Sequence, residues 1–459
     1  MKIRIERSSA AGRLAAPPSK SMAHRLLIGG GLADGESVIT NVALSEDICA
    51  TLDCLAALGA RWGYDGGTVR IEGTGGKART PAPPLHCREC GSTLRFFIPL
   101  ALLSDCETEL GGAPRLLARP LGPYGEIARE KGLLFENTGR KIRVRGPLSS
   151  GDFRIPGNIS SQFVSGLLFA LPLLEEESRI FLTGGVESRS YIDLTLRALA
   201  SFGVKAFWEE ETTLRVPGNQ SYRPARLSVE GDYSNAAFFD ALNLLGGRVK
   251  IDGLLPDSGQ GDRVYAAYFE RIAAGSPTLS VADCPDLAPI LMALAAAFHG
   301  LTLTGTERLK IKESDRGEAM AEELKKCGVR TILGDNSIRV LPGGLHAPEE
   351  ELNGHNDHRI VMALSVLLTR LGGVIAGAEA VAKSLPDFFP RLRALGISAD
   401  EMIEPESGGF PNGGFPNGGF PNSGSASSPA DAISSAAAPA ACPDPSAPRC
   451  SELPEKERS

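Results

Sequence analysis

The sequence has 459 residues, of which 42% are hydrophobic and 22% are charged. These fractions are typical of a globular protein, and the length suggests two to four domains at about 100–200 residues each. With 48 basic and 55 acidic residues the net charge is −7, which argues against a general nucleic-acid coat or a binder of anionic membranes but leaves room for a local basic cluster.

Neither a membrane span nor a secretory signal is expected. The longest apolar run, residues 288–298, is shorter than the about 20 residues that cross a bilayer. The start, MKIRIERSS, lacks the apolar region of a signal peptide and is expected to form a charged strand. The nine cysteines are therefore expected to be free thiols in a cytoplasmic protein.

From residue 36 onward the chain repeats one pattern, an apolar strand that leads into a small polar turn. The steps between the repeats are roughly 70 residues, with one shorter step of about 52, and such self-similarity signals repeated supersecondary units. The central apolar residues of the six strands are Ile39, Leu110, Leu182, Ile251, Leu303 and Ile375.

Each repeated strand is followed by an amphipathic helix. In residues 45–59 apolar side chains recur at steps of four, three and three. Ser45 is expected to cap the helix, Glu46 and Asp47 to form its acidic first turn, and Gly59 to end it. Most copies continue through a hairpin such as WGYDGGTVRIEG. The unit is therefore strand–helix–strand–strand–helix–strand, and six copies predict an α/β protein whose sheets are covered by helices.

The composition changes abruptly near Pro405. Residues 408–422 repeat the unit GGFPN, and a stretch rich in Ser, Ala and Pro follows. Because few large apolar side chains are available to offset the entropy of ordering, residues 405–459 are predicted to be a disordered low-complexity tail. A tether or docking role for the tail is the less favoured alternative.

The first candidate site is the segment PPSKSMAHR. Pro17 and Pro18 delay the helix and Ser19 is expected to cap it, so Lys20 and Ser21 fall at its start and Arg25 follows one turn later. Free backbone N–H groups and the helix dipole make such a start a natural site for phosphate or carboxylate. Taken alone, the motif favours an ordinary capped surface helix over a binding site.

Two further segments place polar residues before apolar helices. GSTLRFFIPLAL supplies Gly91 and Arg95, and GNISSQFVSGLLFALPLL supplies Ser160, Ser161 and Gln162. Three neutral polar side chains at one helix start suit an anion or a polyhydroxylated ring, whereas a cap alone would use one of them.

The second half of the chain adds charged residues before its helices. Arginines and lysines from separate repeats can converge on a small polyanion, although a charge run such as KESDR is usually a solvated surface. Asp286, before the most apolar helix, is either a helix cap or a general base. The charged candidates are Lys312, Glu313, Asp315, Arg316, Asp357, His358, Arg359 and Lys383.

Motifs for metal or nucleophilic chemistry are weak. Cys87 and Cys90 form a CxxC, but no second pair follows at zinc spacing. The chain contains no GxSxG elbow, HExxH, Walker loop or strand–helix GxGxxG. The sequence therefore favours electrostatic catalysis on an anionic small molecule, with neither metal nor organic cofactor.

Ten motifs in order resemble the 5-enolpyruvylshikimate-3-phosphate synthase family of enolpyruvyl transferases, and together they cover residues 1–400. They are PSKSMAHR, GSTLRF, PRLLARP, NISSQF, SYIDLTL, EGDYSNAAFF, PDLAPI, KESDR, NDHR and AKSLPDFF. The resemblance implies an inside-out α/β barrel fold of two globular halves, each with three repeats. It also implies that residues 1–17 and 230–404 form the first half and residues 18–229 the second, with crossings near Pro18 and Glu230.

The resemblance further implies a reaction and a set of site residues. Members join phosphoenolpyruvate to the 5-hydroxyl of shikimate 3-phosphate and release phosphate, in the shikimate pathway to chorismate and aromatic amino acids. A cytoplasmic monomer with only these small-molecule substrates as partners is expected. The implied shikimate 3-phosphate ligands are Lys20, Ser21, Arg25, Ser160, Ser161, Gln162, Ser188, Tyr191, Asp286 and Lys312. The implied phosphoenolpyruvate ligands are Lys20, Gly91, Arg119, Gln162, Arg316, Arg359 and Lys383. Asp286 matches the base, Glu313 the proton donor, and Lys20 a second catalytic group.

One motif departs from the family pattern. Many members carry Asn-Ala-Gly-Thr where this chain has Glu89, Cys90, Gly91 and Ser92. Glu89 would add negative charge near an anionic substrate, so it is expected either to point away or to lower phosphoenolpyruvate affinity. The alternatives to the implied reaction are a UDP-N-acetylglucosamine enolpyruvyl transferase, and a non-catalytic repeat scaffold that binds phosphorylated ligands.

Overall fold

The computed structural model describes residues 1–76 and 83–402, in which short strands alternate with helices. The predicted tail at 405–459 lies outside the described residues. The strands are β1 Lys2–Ile5, β2 Ala11–Ala15, β3 Glu36–Thr40, β4 Arg61–Asp65, β5 Thr68–Glu72, β6 Leu85–His86, β7 Thr108–Gly111, β8 Leu134–Asn137, β9 Ile142–Arg145, β10 Gly151–Pro156, β11 Ser178–Thr183, β12 Phe207–Glu210, β13 Thr213–Val216, β14 Arg226–Ser228, β15 Arg248–Asp252, β16 Thr278–Ser280, β17 Leu301–Thr304, β18 Thr331–Leu333, β19 Ser337–Val340, β20 Leu352–Asn353, β21 Gly373–Ala376 and β22 Ala399–Glu401.

The helices follow the strands in the predicted alternation. The α-helices are α1 Lys20–Leu32, α2 Glu46–Ala57, α3 Gly91–Ala101, α4 Pro114–Leu117, α5 Gly122–Lys131, α6 Ser161–Ala170, α7 Arg189–Ser201, α8 Tyr233–Leu244, α9 Tyr265–Ala274, α10 Ala288–Ala297, α11 Arg316–Lys326, α12 His358–Leu371 and α13 Phe388–Ala394. The 3-10 helices are Leu171–Leu173, Gly261–Val264, Pro285–Leu287, Glu307–Ile311 and Ala378–Lys383.

The sheets share one strand order, which confirms the repeat. In each four-stranded sheet a parallel pair is extended by two antiparallel strands, giving the orders β14-β3-β5-β4, β6-β7-β9-β8, β10-β11-β13-β12, β16-β17-β19-β18 and β20-β21-β1-β22. The six central residues of the sequence repeat lie in β3, β7, β11, β15, β17 and β21. The short repeat is the pair β15-β2, which lacks the hairpin and therefore spans fewer residues.

Helices form the interior and the sheets lie outside them, as the inside-out α/β prediction requires. α10 is buried on all sides, as expected for a helix that is apolar all round, and it packs against α12. In the same way α3 packs against α6. The buried apolar side chains fall into two clusters, which we call the terminal cluster (residues 3–14 and 237–399) and the central cluster (residues 23–229).

The chain passes between the two clusters at two places that lie side by side. Pro18 and Gly231 form an isolated antiparallel bridge. The backbone N–H of Ser19 donates to the carbonyl of Glu230 at 2.8 Å, and that of Asp232 donates to the carbonyl of Pro17 at 2.7 Å. Both connections therefore run next to the start of α1. Among the residues described, no helix is long and apolar enough to cross a membrane.

Candidate active site

A single cavity gathers the ends of helices from both clusters. It has a volume of about 80 Å³ and is mostly polar in its lining. The predicted site residues that line it are Lys20, Ser21, Arg25, Gly91, Arg119, Ser160, Ser161, Gln162, Tyr191, Asp286, Lys312, Glu313 and Arg316. Asp47, Ser92, Arg95, Phe96, Ile159, Pro285, Arg308, Ile311 and His358 complete the lining.

Lys20 is held as a cation at the start of α1. The hydroxyl of Ser19 accepts from the backbone N–H of Met22, which is the predicted cap, and Lys20 is the first residue of the helix. Its Nζ lies 2.7 Å from Oδ2 of Asp47 on α2. Burial lowers the pKa of Lys20, but Asp47, with smaller contributions from Cys90 and Glu313, outweighs burial and raises it. Lys20 is therefore a cation at neutral pH.

Gly91 is needed where it stands because an arginine lies against it. A Cβ at this first residue of α3 would lie 2.7 Å from Nη1 of Arg119 and 3.1 Å from Nη1 of Arg95. Arg95 donates to the amide oxygen of Gln162 at 2.7 Å, and the amide nitrogen of Gln162 donates to the hydroxyl of Ser92 at 2.9 Å. The starts of α3 and α6 are thus joined by polar side chains at the cavity.

In the part of the chain that the structure describes, two arginines each carry two buried guanidinium nitrogens that have no acceptor. Nε and Nη2 of Arg119, and Nε and Nη1 of Arg359, are buried without a hydrogen-bond partner among the residues described. The two side chains are only 7% and 3% exposed. Leaving charged donors unpaired is costly, so this arrangement suits an anionic ligand with several oxygen atoms.

Arg316 joins three carboxylates at the terminal-cluster side of the cavity. Its Nη1 lies 2.7 Å from Asp286, its Nη2 lies 2.8 Å from Glu313, and its Nε lies 2.9 Å from Asp357. Burial would raise the pKa of Glu313, but Arg316 and then Arg119 outweigh burial and hold it well below its usual range. Both Asp286 and Glu313 are therefore ionised in this arrangement.

Asp286 is surrounded by cations. Nη2 of Arg359 lies 3.3 Å from its Oδ2, and Nζ of Lys312 lies 3.7 Å from its Oδ1. These two cations, with Arg316, overcome burial and hold the pKa of Asp286 well below its usual range. Burial lowers the pKa of Lys312 to about 8 in spite of Asp286. Lys312 is thus the cavity lysine that loses its charge most readily.

The side of the cavity formed by α1 and α7 is built around Arg25. Its Nε donates to the hydroxyl of Thr195 at 2.8 Å and its Nη2 to the carbonyl of Tyr191 at 2.9 Å. The hydroxyl of Tyr191 donates to Oδ2 of Asp262 at 2.9 Å, which links the central and terminal clusters. Burial, followed by the charge of Asp286, raises the pKa of Asp262 to about 7.

Three predicted ligands lie beside the cavity lining rather than in it. Ser188, which has a left-handed φ of 53°, accepts a hydrogen bond from Arg308. Arg359 lies behind Asp286 and also donates to the hydroxyl of Ser234 at 2.8 Å. Lys383 is the last residue of its 3-10 helix and is 7% exposed. Ser188 thus contacts the lining residue Arg308, Arg359 contacts the lining residue Asp286, and Lys383 contacts Glu89.

Sequence reasoning missed two charged residues of the lining. Asp47 was interpreted only as part of the acidic first turn of α2, yet it is the partner of Lys20. Arg308 gave no usable signal, because it lies just before the motif KESDR among other charged residues and nothing local distinguishes it from them. Its Nε donates to the carbonyl of Ile159 at 3.2 Å, so it connects the terminal cluster to the start of α6.

Glu89 does not point away from the predicted site. Its Oε2 lies 2.8 Å from Nζ of Lys383, and its two carboxylate oxygens accept from the side-chain amide of Asn356 at 3.1 and 3.2 Å. The first of the two expectations for Glu89 is therefore wrong. The second, a lowered affinity for phosphoenolpyruvate, stays a prediction.

Among the residues that the structure describes, two clusters have the geometry to hold a metal ion, and in each of them a carboxylate is already paired with a lysine. One is His24, Asp47 and Cys90, where Asp47 holds Lys20 and burial raises the pKa of Cys90 to about 12. The other is Glu322, Glu323 and His355, where Lys326 lies 2.9 Å from Glu323. Neither is the arrangement of free donors that a metal site requires.

The fold defines a class, that of α/β proteins with the enolpyruvyl transferase fold. An EPSP synthase from Acinetobacter baumannii superposes with a TM-score of 0.70 at 23% identity and covers 87% of this chain and 100% of that one. The enolpyruvyl transferase NikO from Streptomyces tendae gives a TM-score of 0.71 at 14% identity, over 88% and 99% of the two chains. At these identities the likeness shows the fold alone.

The particular family follows from sequence comparison. The family described as EPSP synthase (3-phosphoshikimate 1-carboxyvinyltransferase) matches residues 6–392. A 3-phosphoshikimate 1-carboxyvinyltransferase from Clostridium kluyveri is 38% identical over 411 residues, which are 85% of this chain and 96% of that protein. One from Clostridium perfringens is 37% identical over 428 residues, 87% and 100% of the two chains. The chain belongs to the EPSP synthase family.

Proposed function

We propose that the protein transfers the enolpyruvyl group of phosphoenolpyruvate to the 5-hydroxyl of shikimate 3-phosphate and releases phosphate. The observation that carries this proposal is that the cations Lys20, Arg119 and Arg316 line one cavity together with the carboxylates Asp286 and Glu313. Cations suited to two small acids and groups suited to proton transfer thus lie within the same space.

Phosphoenolpyruvate is proposed to bind where the unpaired guanidinium groups lie. The free N–H groups of Arg119 and Arg359 offer donors to carboxylate and phosphate oxygens, and Arg316 adds a third guanidinium. The absence of a side chain at Gly91 keeps Arg119 in position. Lys20, Gln162 and Lys383 are the remaining proposed ligands.

Shikimate 3-phosphate is proposed to bind beside the starts of α1 and α6. Ser160 caps α6, Ser161 is its first residue, and both line the cavity together with Ser21. Helix starts favour a phosphate through their free N–H groups and dipole. The other proposed ligands on this side are Lys20, Arg25, Gln162, Ser188, Tyr191, Asp286 and Lys312.

Proton transfer is proposed to depend on the charge that the substrates bring. Without substrates Glu313 is ionised, because Arg316 and Arg119 face it. An anionic substrate that pairs with these arginines weakens their effect, so the pKa of Glu313 rises and a proton becomes available for the methylene carbon. Since Lys20 is already protonated, Asp286 is the proposed base at the 5-hydroxyl.

The proposed sequence of bonds is an addition followed by an elimination. Protonation of the methylene carbon leaves a cationic C2, and the 5-hydroxyl oxygen bonds to it as its proton passes to Asp286. In the tetrahedral adduct the bond between C2 and the phosphate oxygen then breaks, and the leaving phosphate takes the proton that Asp286 received. The new methyl group returns a proton to Glu313 and the double bond re-forms, so both carboxyl groups regain their starting states. Surrounding cations stabilise the phosphate throughout.

We further propose that the protein has two halves that move apart to admit substrates. One half is formed by residues 1–17 with 230–404, and the other by residues 18–229. A cavity of about 80 Å³ is smaller than the about 300–1,000 Å³ of ordinary ligand pockets, so it has to open. This proposal is supported by the separation of the buried apolar side chains into two clusters. It is also supported by polar contacts between the halves that would have to break, such as Arg119 with Glu313 and Arg308 with Ile159. A cytoplasmic monomer that binds neither nucleic acid nor membranes and needs no cofactor stays a prediction.

The test is phosphate release from phosphoenolpyruvate, measured with shikimate 3-phosphate, with UDP-N-acetylglucosamine and with neither acceptor. Release only with shikimate 3-phosphate is expected. Release only with the nucleotide sugar would favour the sibling transferase, and release with neither would favour a binding scaffold. Asp286→Ala and Glu313→Ala are each expected to lower kcat by about 10²–10⁴-fold. Full activity in both variants would contradict the proposed mechanism.

A further inference from the structure

The ion pair between Glu89 and Lys383 joins the two clusters next to the proposed phosphoenolpyruvate ligands. Glu89 precedes α3 on the central-cluster side, whereas Lys383 and Asn356 belong to the terminal-cluster side. The side chains of Lys383 and Glu89 are only 7% and 18% exposed. Such a pair is shielded from solvent and salt, so its strength exceeds that of a surface pair.

Both acceptors of Lys383 come from the protein itself. Its Nζ lies 2.8 Å from Oε2 of Glu89 and donates to the carbonyl of Asn356 at 2.7 Å. Asn356 in turn has a left-handed φ of 52° and holds the carboxylate of Glu89 with its side-chain amide. The side-chain amide of Asn356 therefore holds Glu89 against the ammonium group of Lys383.

We propose that Glu89 acts as an internal anion that occupies Lys383 in the substrate-free enzyme and must be displaced by an anionic group of phosphoenolpyruvate. The proposal rests on the proposed function, in which Lys383 is a phosphoenolpyruvate ligand. Any anion that binds Lys383 must first displace this carboxylate from a shielded cation. The free energy that this step costs weakens the binding of the anion. Glu89 thereby lowers the affinity of the site for phosphoenolpyruvate.

The same contact favours the release of phosphate at the end of the reaction. Phosphate is an anion that the cations of the cavity would otherwise retain. When the carboxylate of Glu89 returns to Lys383, it replaces one of the contacts of the bound phosphate, so phosphate leaves more readily. Glu89 is in this sense an affinity-setting residue for donor and product alike.

The test is steady-state kinetics of Glu89→Gln, which removes the charge and keeps the shape of the side chain. We expect the KM for phosphoenolpyruvate and the competitive Ki for inorganic phosphate to fall by similar factors, about three- to tenfold, without a rise in kcat. A positioning role for Glu89 in aligning Lys383 would instead raise the KM. An unchanged or raised value of either constant overturns the proposal.

The matched control is Glu109→Gln, which removes the same charge from a glutamate–lysine pair outside the cavity. Glu109 lies 2.7 Å from Nζ of Lys141, and both side chains are at least one-third exposed. This variant is expected to leave both constants unchanged. If Glu89→Gln fails to fold, Glu89→Asn is used instead, since asparagine occupies this position in many family members. The KM for phosphoenolpyruvate and the Ki for phosphate are expected to fall by the same factors in this variant.

A double variant separates this proposal from the proposed function. In a Lys383→Met background, Glu89→Gln is expected to leave the remaining KM for phosphoenolpyruvate unchanged, because the pair no longer exists. An effect of Glu89→Gln that persists there overturns the proposal. If the parent enzyme releases no phosphate from phosphoenolpyruvate and shikimate 3-phosphate, the proposed function itself fails.

Discussion

Nζ of Lys20 lies 2.7 Å from Oδ2 of Asp47, and both side chains are mostly buried, at 15% and 11% exposure. Each residue is near the start of its own helix, and the pair brings the start of α2 to the cavity that α1 enters. The positive charge that the proposed reaction needs at Lys20 therefore depends on a residue from a different repeat.

Asp47→Asn is expected to move the alkaline limb of the pH profile of kcat/KM to lower pH. Asp47 raises the pKa of Lys20 against the effect of burial, so the variant lets that pKa fall and Lys20 loses its charge at a lower pH. A loss of about tenfold in kcat/KM that grows between neutral and alkaline pH is expected.

The control is Asp53→Asn on the same helix. Asp53 lies 2.7 Å from Arg88, and its side chain is 31% exposed. This variant is expected to keep the parental pH profile. An identical profile in Asp47→Asn and the parent would contradict the view that Asp47 maintains the charge of Lys20.

Local sequence patterns predicted the repeat because each repeat carries its own signals. The caps at Ser19 and Ser45 lie where the sequence places them, with each hydroxyl accepting a backbone N–H of its helix. The hairpin predicted in WGYDGGTVRIEG is β4 and β5. Alternation of strands and helices and the one short repeat are confirmed for the same reason.

Pairings between distant segments have no such local signal. Ile3 of β1 pairs with Ile375, so the first strand of the chain completes the last sheet. Leu14 of β2 pairs with Ile251, and Leu227 of β14 pairs with Ile39. These contacts are set by how the repeats pack, and the periodicity of a single strand contains no information about its remote partner.

The residues of the candidate site fall into the same two groups, those with a local sequence signal and those whose role depends on distant segments. Residue types and motif order brought Lys20, Arg316 and Glu313 together before any geometry was known. The partners that set their charge, above all Asp47, come from segments whose local interpretation was a helix cap. Conversely, the sequence left two alternatives for Glu89, to point away or to lower the affinity for phosphoenolpyruvate, and Lys383 provides the counter-charge that makes its observed position stable.

Affinity for shikimate 3-phosphate is expected to fall as the pH rises through about 8. Burial lowers the pKa of Lys312 to about 8, so this cation is charged below that pH and neutral above it. One pH unit above the pKa about a tenth of the lysine is protonated, so the KM is expected to rise up to about tenfold. Lys312→Arg is expected to remove this rise, since arginine keeps its charge.

The measurement is the KM for shikimate 3-phosphate at neutral and alkaline pH in the parent and in Lys312→Arg. Lys250→Arg, at an exposed position on β15, serves as the control and is expected to keep the parental rise. A rise of equal size in Lys312→Arg would show that a different group titrates.

A chain that ends after residue 404 is expected to retain the turnover of the full chain. Every lining residue of the cavity lies before residue 359, and the last proposed ligand is Lys383. β22, at residues 399–401, completes its sheet by pairing with β1 and so should be kept. The measurement is kcat of the shortened chain, with a second chain ended before β22 as a destabilised comparison. A large loss of kcat in the first of these would give the tail a part in the reaction.

Gly91→Ala is expected to weaken the binding of phosphoenolpyruvate more than that of shikimate 3-phosphate. The added Cβ would lie 2.7 Å from Nη1 of Arg119, so this guanidinium has to shift away from its place among the proposed donor ligands. A rise of about tenfold or more in the KM for phosphoenolpyruvate is expected, because a charge-assisted bidentate contact depends on its geometry. Gly122→Ala is the matched control, since Gly122 is likewise the first residue of a helix and nothing lies within 4 Å of its added Cβ. Equal rises in the KM values of both substrates for Gly91→Ala would mean that α3 as a whole is displaced, and would contradict a specific contact between residue 91 and Arg119.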